Sequence, residues 1–130
     1  MIYDNLIGLT NTVEDFVTEK NTAVAVGSGS LKVFATPVMI NLVEKISAEL
    51  VEKNLPDELT SVGISINAKH TAPTPCGMKI RVEVKIISVD GRKITFEFFA
   101  TDERGEIGHG SHERFIVDRN KFQAKANAKL

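Results

Sequence analysis

One stretch, Val33 to Lys53, constrains the fold of this chain more than any other, because it carries both a start signal and a long helical period. Thr36 is placed to act as N-cap, and Pro37 to occupy the first helical position, where its missing N–H is no loss. At about 100° per residue, Val38, Met39, Leu42, Val43, Ile46 and Leu50 fall on one broad apolar face. Asn41, Lys45, Glu49 and Glu52 gather on a polar strip. Glu44 joins neither group and falls on a second apolar stripe with Ile40, Ala48 and Val51. A carboxylate in such company is exposed at the stripe's edge, paired, or held for chemistry, since burying it uncompensated is costly. Asn54-Leu55-Pro56-Asp57 ends the helix, because Pro56 cannot continue it.

The second half reads as antiparallel sheet. From Thr60 to Thr71, Val62, Ile64, Ile66, Ala68 and His70 share one face, and Gly63, Ser65, Asn67 and Lys69 the other. Pro73, Pro75 and Gly77 interrupt the strand. Met78, Ile80, Val82, Val84 and Ile86 then alternate with charged residues, Asp90-Gly91 signals a hairpin, and Ile94, Phe96, Phe98 and Ala100 run back. A turn near Glu103-Arg104-Gly105 leads to a last strand from Glu106 to Val117, and the tail after Lys121 is expected to fray. Ahead of the helix, Val24 and Val26 suggest a strand over Thr22–Val26, and Gly27-Ser28-Gly29-Ser30 a loop, while Met1 to Thr10 is left unassigned. A long helix followed by a meander of about four long antiparallel strands, each beside the next, predicts an α+β fold with the sheet wrapped over the helix. The apolar flank of the helix calls for a second covered surface, which a two-fold dimer supplies.

With 130 residues, residues 1–130 are expected to form one domain. At 42% hydrophobic and 25% charged, the composition excludes wholesale disorder and collagen-like or disulfide-built scaffolds. A net charge of −1, with lysines and arginines scattered among acids, gives no reason to propose nucleic acid. The single Cys76 cannot form an internal disulfide, and neither a signal peptide nor an 18-residue apolar run is present. A cytosolic, soluble protein with no membrane partner is expected.

His70 sits at a strand end on the face that meets the helix, where a satisfied core histidine and a functional one compete as readings. Thr36 has a full structural explanation as a cap, yet it also sets a hydroxyl beside the free N–H groups of a helix start, where a developing oxyanion is stabilised. Glu44 lies eight residues on, about 12 Å along the axis, so the two meet only through a third group. In Gly108-His109-Gly110-Ser111-His112-Glu113-Arg114, His112 and Arg114 share one face and His109 and Glu113 the other. That spacing points His109 and His112 apart and disfavours a metal site. Arg114 is able to hold a carboxylate or phosphate, with an ion pair as the bland alternative. Cys76 has no activating base beside it and is incidental. No nucleophile elbow, P-loop, dinucleotide fingerprint or paired C-x-x-C occurs. Pattern alone stops at a small α+β domain with one candidate acid and one candidate base.

The residues Val33-Phe34-Ala35-Thr36-Pro37 followed by Glu44, then Val62-Gly63, Lys69-His70-Thr71-Ala72-Pro73-Thr74-Pro75, Gly77, Val89-Asp90-Gly91-Arg92, and Ile107-Gly108 through His112-Glu113-Arg114 resemble the hotdog-fold thioesterases related to fluoroacetyl-CoA thioesterase. The resemblance runs in order from about Thr22 to Phe122. It implies a hotdog fold, in which a long helix is wrapped by a curved antiparallel sheet, a homodimer, and hydrolysis of acyl-CoA at the dimer interface with no cofactor and no metal. The family's catalytic threonine, glutamate and histidine fall on Thr36, Glu44 and His70, and its site glycine and arginine on Gly63 and Arg114. One segment departs: where those thioesterases carry a phenylalanine that covers the acyl pocket, this chain has Gly27-Ser28-Gly29-Ser30-Leu31-Lys32. A more open pocket and a short or medium acyl group other than fluoroacetyl follow. A non-catalytic acyl-CoA binding or sensing module is the competing reading, because fold does not fix function. A hydratase lacks its aspartate and histidine spacing here.

Overall fold

The computed structural model describes residues 2–130. After a 3₁₀ turn at Asp4–Leu6, the elements are β1 (Thr10–Phe16), α1 (Ala23–Val26), α2 (Thr36–Glu52), β2 (Leu59–His70), β3 (Lys79–Asp90), β4 (Lys93–Asp102), β5 (Gly105–Asp118) and α3 (Arg119–Asn127). Five strands form one antiparallel sheet in the order β1-β3-β4-β5-β2. Met1, part of the unassigned lead, lies outside the described residues.

The long helix lies against this sheet as its period requires. Met39, Leu42, Val43, Ile46 and Leu50 are buried and pack with Ile80, Val82, Val84 and Ile86 of β3, Ile94, Phe96, Phe98 and Ala100 of β4, and Ile107 and Ile116 of β5. Val51 joins them, whereas its expected stripe-mates Ile40, Glu44 and Ala48 stay half-buried at the margin of the helix. The polar strip Asn41, Lys45, Glu49 and Glu52 is exposed.

Four local expectations change. Thr22–Val26 is not a strand: the buried Thr22 hydroxyl accepts from Ala25 N–H and caps the short helix α1, which Gly27 closes at a φ of 78°. The β3–β4 turn uses Gly91-Arg92, with Asp90 pairing Lys93 as the last rung, because Gly91 takes the left-handed φ of 61°. Strand β2 does not neighbour β3; the Pro-rich connection of residues 71–78 carries the chain away, and β2 instead pairs β5 and forms a sheet edge. The tail, expected to fray, is helical through Asn127, with the Asp118 carboxylate accepting from Lys121 N–H as its cap.

The fifth difference is the one that shapes the site. The β2–β5 register shifts between Gly63 and Ser65, so Ile64 is an extra residue. Strict alternation puts Gly63 and His70 on opposite faces. The bulge reverses the phase, and Gly63, paired with Arg114, comes to the helix-facing side together with Ile66, Ala68 and His70.

Candidate active site

Thr36 is the first residue of α2 rather than its cap. Ala35 takes the extended cap conformation and offers no side-chain bond, which leaves the Thr36 hydroxyl free for another partner. That partner is His70: Thr36 Oγ1 and His70 Nδ1 lie 2.6 Å apart. Backbone bonds fix this meeting. Phe34 N–H donates to Thr74 O at 2.8 Å and Thr71 N–H to Ile107 O at 2.7 Å, tying the approach to α2 and the end of β2 to the same wall. The edge of the Phe34 ring meets the His70 imidazole, with centroids 6.2 Å apart. Burial pushes the His70 pKa down, so the ring is neutral near pH 7, and its Nε2 is buried without a partner among the described residues. In the tautomer whose Nδ1–H donates to Thr36, Nε2 carries an uncommitted lone pair. The two residues border a cavity of about 300 Å³ whose other walls include Ala23, Ser28, Val33 and Pro73.

Glu44 belongs to a second cavity, of about 290 Å³, bordered by Gly63, Ile64, Ser65, Ile66 and His112. Gly63 is the point of convergence: a Cβ there would lie 3.1 Å from Glu44 Oε2, 3.3 Å from His112 Cε1 and 3.4 Å from Arg114 Nη1. The carboxylate and the guanidinium therefore face one small space without forming an ion pair. His112 is buried beneath it, stacked on Phe96 with ring centroids 5.8 Å apart. Its Nδ1–H donates to Ser65 O at 2.8 Å, and Nε2 accepts from Arg114 Nη1 at 3.2 Å, which fixes one neutral tautomer. Burial, more than any other cause, holds the His112 pKa below the usual histidine range.

Arg114, only 7% exposed, also donates from Nε to Ser61 Oγ (2.8 Å) and from Nη2 to Ser61 O (2.9 Å). Three of its five donors are thus used, and Nη1 keeps one N–H beside the Gly63 space. Within one chain, then, Thr36 joins His70, and Glu44 joins Gly63 and Arg114, but the two groups border separate cavities. His112 carries no role in the sequence reading. Its shared face with Arg114 was the available signal, and only coordinates show it holding the arginine. His109, on the opposite face, pairs with Glu106 instead, and Cys76 is exposed.

Residues 17–120 match the family described as fluoroacetyl-CoA-specific thioesterase. This chain belongs to that family. It is 37% identical over 98 residues to the fluoroacetyl-CoA thioesterase of Streptantibioticus cattleyicolor, covering 75% of this chain and 70% of that protein. A solved structure of the fluoroacetyl-CoA thioesterase superimposes with a TM-score of 0.88 at 31% identity, over 95% of this chain and 96% of that one. The hot-dog-like protein from Thermanaerovibrio acidaminovorans, at 19% identity, superimposes at 0.92 over 100% and 98% of the two chains and speaks to the fold alone. The thioesterase family thus carries the hotdog fold expected from the sequence. Among the described residues no helix is long and apolar enough to cross a membrane.

Proposed function

We propose that this chain hydrolyses the thioester of a short or medium acyl-CoA, using Thr36, Glu44 and His70 in a site completed between two copies of the chain. Acyl-CoA thioester hydrolysis is the activity of the family to which it belongs. The observation that carries the residue assignment is the 2.6 Å contact of Thr36 with a half-buried, neutral His70 at the mouth of a cavity. A base of this kind needs a free lone pair, an orienting partner and a neutral ring at the working pH, and His70 meets all three.

Strand β2 supports the two-copy reading. It is a sheet edge whose outer row of N–H and C=O groups is unpaired, and it exposes Ile64 (51%) and Ile66 (37%) beside the half-buried margin of α2. Antiparallel pairing of β2 with a partner's β2 about a two-fold axis at Asn67, with Ile64 as the extra residue, sets Gly63 of one protomer opposite His70 of its partner. The Glu44 cavity of one copy and the Thr36–His70 cavity of the other then become one.

In that cavity water attacks the thioester carbonyl carbon, the C–S bond breaks, and coenzyme A leaves as thiolate and takes up the proton that the base removed from water. His70 and Glu44 are the groups able to take that proton, with Thr36 holding the imidazole. In a second route Glu44 itself attacks and water then hydrolyses the anhydride. The remaining Arg114 Nη1–H and the space at Gly63 suit the developing oxyanion. The Gly27–Lys32 segment gives the cavity Ser28 and no aromatic ring, which supports an acyl group larger than fluoroacetyl.

Thiol release over an acyl-CoA panel, with binding measured in parallel, tests the activity; binding without release across the panel would make the chain a sensing module. Co-expressing Glu44→Gln with His70→Ala tests the shared cavity, since statistical mixing restores one site in half of the dimers, about a quarter of wild-type activity. No recovery, with each variant folded and inactive alone, would place the whole site within one chain. Single turnover in ¹⁸O-water tests the second route: an unlabelled first acid with ¹⁸O retained in the Glu44 carboxylate means attack by Glu44 and hydrolysis at its own carbonyl carbon.

A further inference from the structure

His112 takes no part in the proposed chemistry, yet its two ring nitrogens are committed in opposite senses. Nδ1–H donates to the Ser65 carbonyl at 2.8 Å, one residue past the Ile64 bulge, and Nε2 lies 3.2 Å from Arg114 Nη1. A carbonyl only accepts and a guanidinium only donates, so both contacts are made by the neutral ring alone. The charged groups around the imidazole come from two elements. Beside it on β5 stand Arg114 and Glu113, and α2 brings Glu44, whereas β2 offers the uncharged Ser65 carbonyl and β4 the Phe96 ring. Glu113 is paired with Lys93 at 3.5 Å, and Glu52, which acts on Arg114 from the end of α2, is paired with Arg119. Of these acids Glu44 alone has no ion pair among the described residues, and its Oε2 and Arg114 Nη1 both lie within 3.4 Å of the position a Gly63 Cβ would take.

We infer that His112 is a positioning residue with two states: neutral, it holds Arg114 Nη1 and leaves Glu44 free; protonated, it gives up Nη1 to Glu44, and the new ion pair closes the space at Gly63. A protonated imidazole keeps its bond to Ser65, because Nδ1 donates in both states, so the bulge stays in place. Nε2 alone changes, from acceptor to donor. It then turns an N–H on the N–H of Nη1 and sets two cations side by side in a buried place. Ser61 still holds Nε and Nη2, so the guanidinium remains where it is while Nη1 has lost its acceptor. Glu44, the end of a flexible side chain across the same small space, is the acceptor at hand. The pair removes at once a candidate base and the N–H that suits the oxyanion. Burial holds the His112 pKa below the usual histidine range, which sets the change on the acid side of about pH 6.5.

The effect on rate rests on the acyl-CoA reading, and two arms keep the two apart. The first needs no turnover: ¹⁵N–¹H correlation spectra of the whole protein between pH 8 and 4.5 resolve its three imidazoles and the arginine Nε–H signals. His112 is the Nδ1–H tautomer at pH 8, and the Arg114 signal shifts with the midpoint of His112 rather than that of His70. In His112→Gln, whose amide oxygen reaches the place of Nε2, the Arg114 signal stays still. An Arg114 signal indifferent to the His112 titration, or a His112 that takes up no proton while the protein is folded, overturns the inference. The second arm is kcat/KM against pH with the best acyl-CoA. His70, as the base, supplies one acid limb of its own, so the wild-type rate falls in acid more steeply than one proton allows. His112→Gln keeps most of the rate at pH 8 and falls with the His70 proton alone. His112→Asn, too short to reach Arg114, lowers kcat about tenfold at pH 8 with little change in KM, since Arg114 acts on charge that develops in the transition state. An unchanged acid limb in His112→Gln, or wild-type kcat in His112→Asn, overturns the positioning role. Spectra as expected in a protein that cleaves no acyl-CoA would sink the hydrolase reading and keep the coupling of His112 to Arg114.

Discussion

Replacing Gly63 by alanine separates the space at the site from the stability of the fold. Gly63 sits in a strand without a left-handed φ, so alanine meets no backbone penalty there. Its methyl carbon would lie 3.1 Å from Glu44 Oε2, and 3.3 and 3.4 Å from His112 Cε1 and Arg114 Nη1. Ordinary contact begins near 3.4 Å, so the carboxylate must retreat by a few tenths of an ångström, the buried imidazole by less, and the guanidinium hardly at all. Glu44 is the free end of a flexible side chain and yields cheaply. His112 is held between Phe96, Ser65 and Arg114 and yields poorly. Overpacking costs about 1–3 kcal/mol, and the loss of glycine's freedom in the unfolded chain offsets about 0.4–1 kcal/mol. The net is roughly 1–2 kcal/mol, a fall in Tm of about 3–10 °C. Activity should suffer far more, because the methyl fills the space facing Glu44 and Arg114; misplacement at a reacting centre costs on the order of 10²-fold. Thiol release and a thermal melt on the same preparation decide the matter. Wild-type kcat/KM with an intact fold would mean that no reacting group uses this space.

Thr36→Val keeps the shape but strands His70 Nδ1; kcat should fall on the order of 10²-fold with stability reduced by about 1–3 kcal/mol, while Thr36→Ser retains most activity, read by kinetics and urea unfolding. His70 and His112 both have pKa values lowered by burial. The unfolded chain therefore binds more protons between those lowered values and about 6.5, so their contribution to stability is complete above about pH 6.5 and is lost as pH falls through the folded values. Melting temperatures across pH 4.5–8 in wild type and His112→Asn should show that slope and its reduction; identical slopes would refute it for His112. Gly110→Ala overlaps the Asn67 carbonyl oxygen, which is backbone and cannot withdraw, and presses on Phe98. A loss above about 3 kcal/mol or failure to fold is expected, and a soluble variant with unchanged Tm would show that the β2–β5 contact is looser than described.

The helix was legible because Pro37 and an unbroken apolar period act locally, and the buried faces of β3 and β4 were legible because each residue's side is set by its neighbour's. Thr36, Glu44 and His70 could be singled out from position and resemblance. What they touch could not. Whether the Thr36 hydroxyl caps its own helix or meets His70 depends on Thr74 and Ile107 drawing two distant segments together. The facing of Gly63 turned on a single unpaired residue, Ile64, and nothing in the local alternation announces a bulge. His112 was hidden for a similar reason: its stacking on Phe96 and bond to Ser65 come from two other strands. Thr22 misled because threonine and valine favour strands, until a free hydroxyl finds an N–H three residues on.

The unpaired edge of β2 has a consequence for how the protein behaves at low abundance. If the reaction chamber is walled by two chains, as we propose, it exists only while they are together, and output per chain would fade on dilution past the dissociation constant. In that regime velocity climbs with the square of protein concentration and becomes linear only once association is complete. A chamber closed within one polypeptide would keep constant specific activity at every dilution.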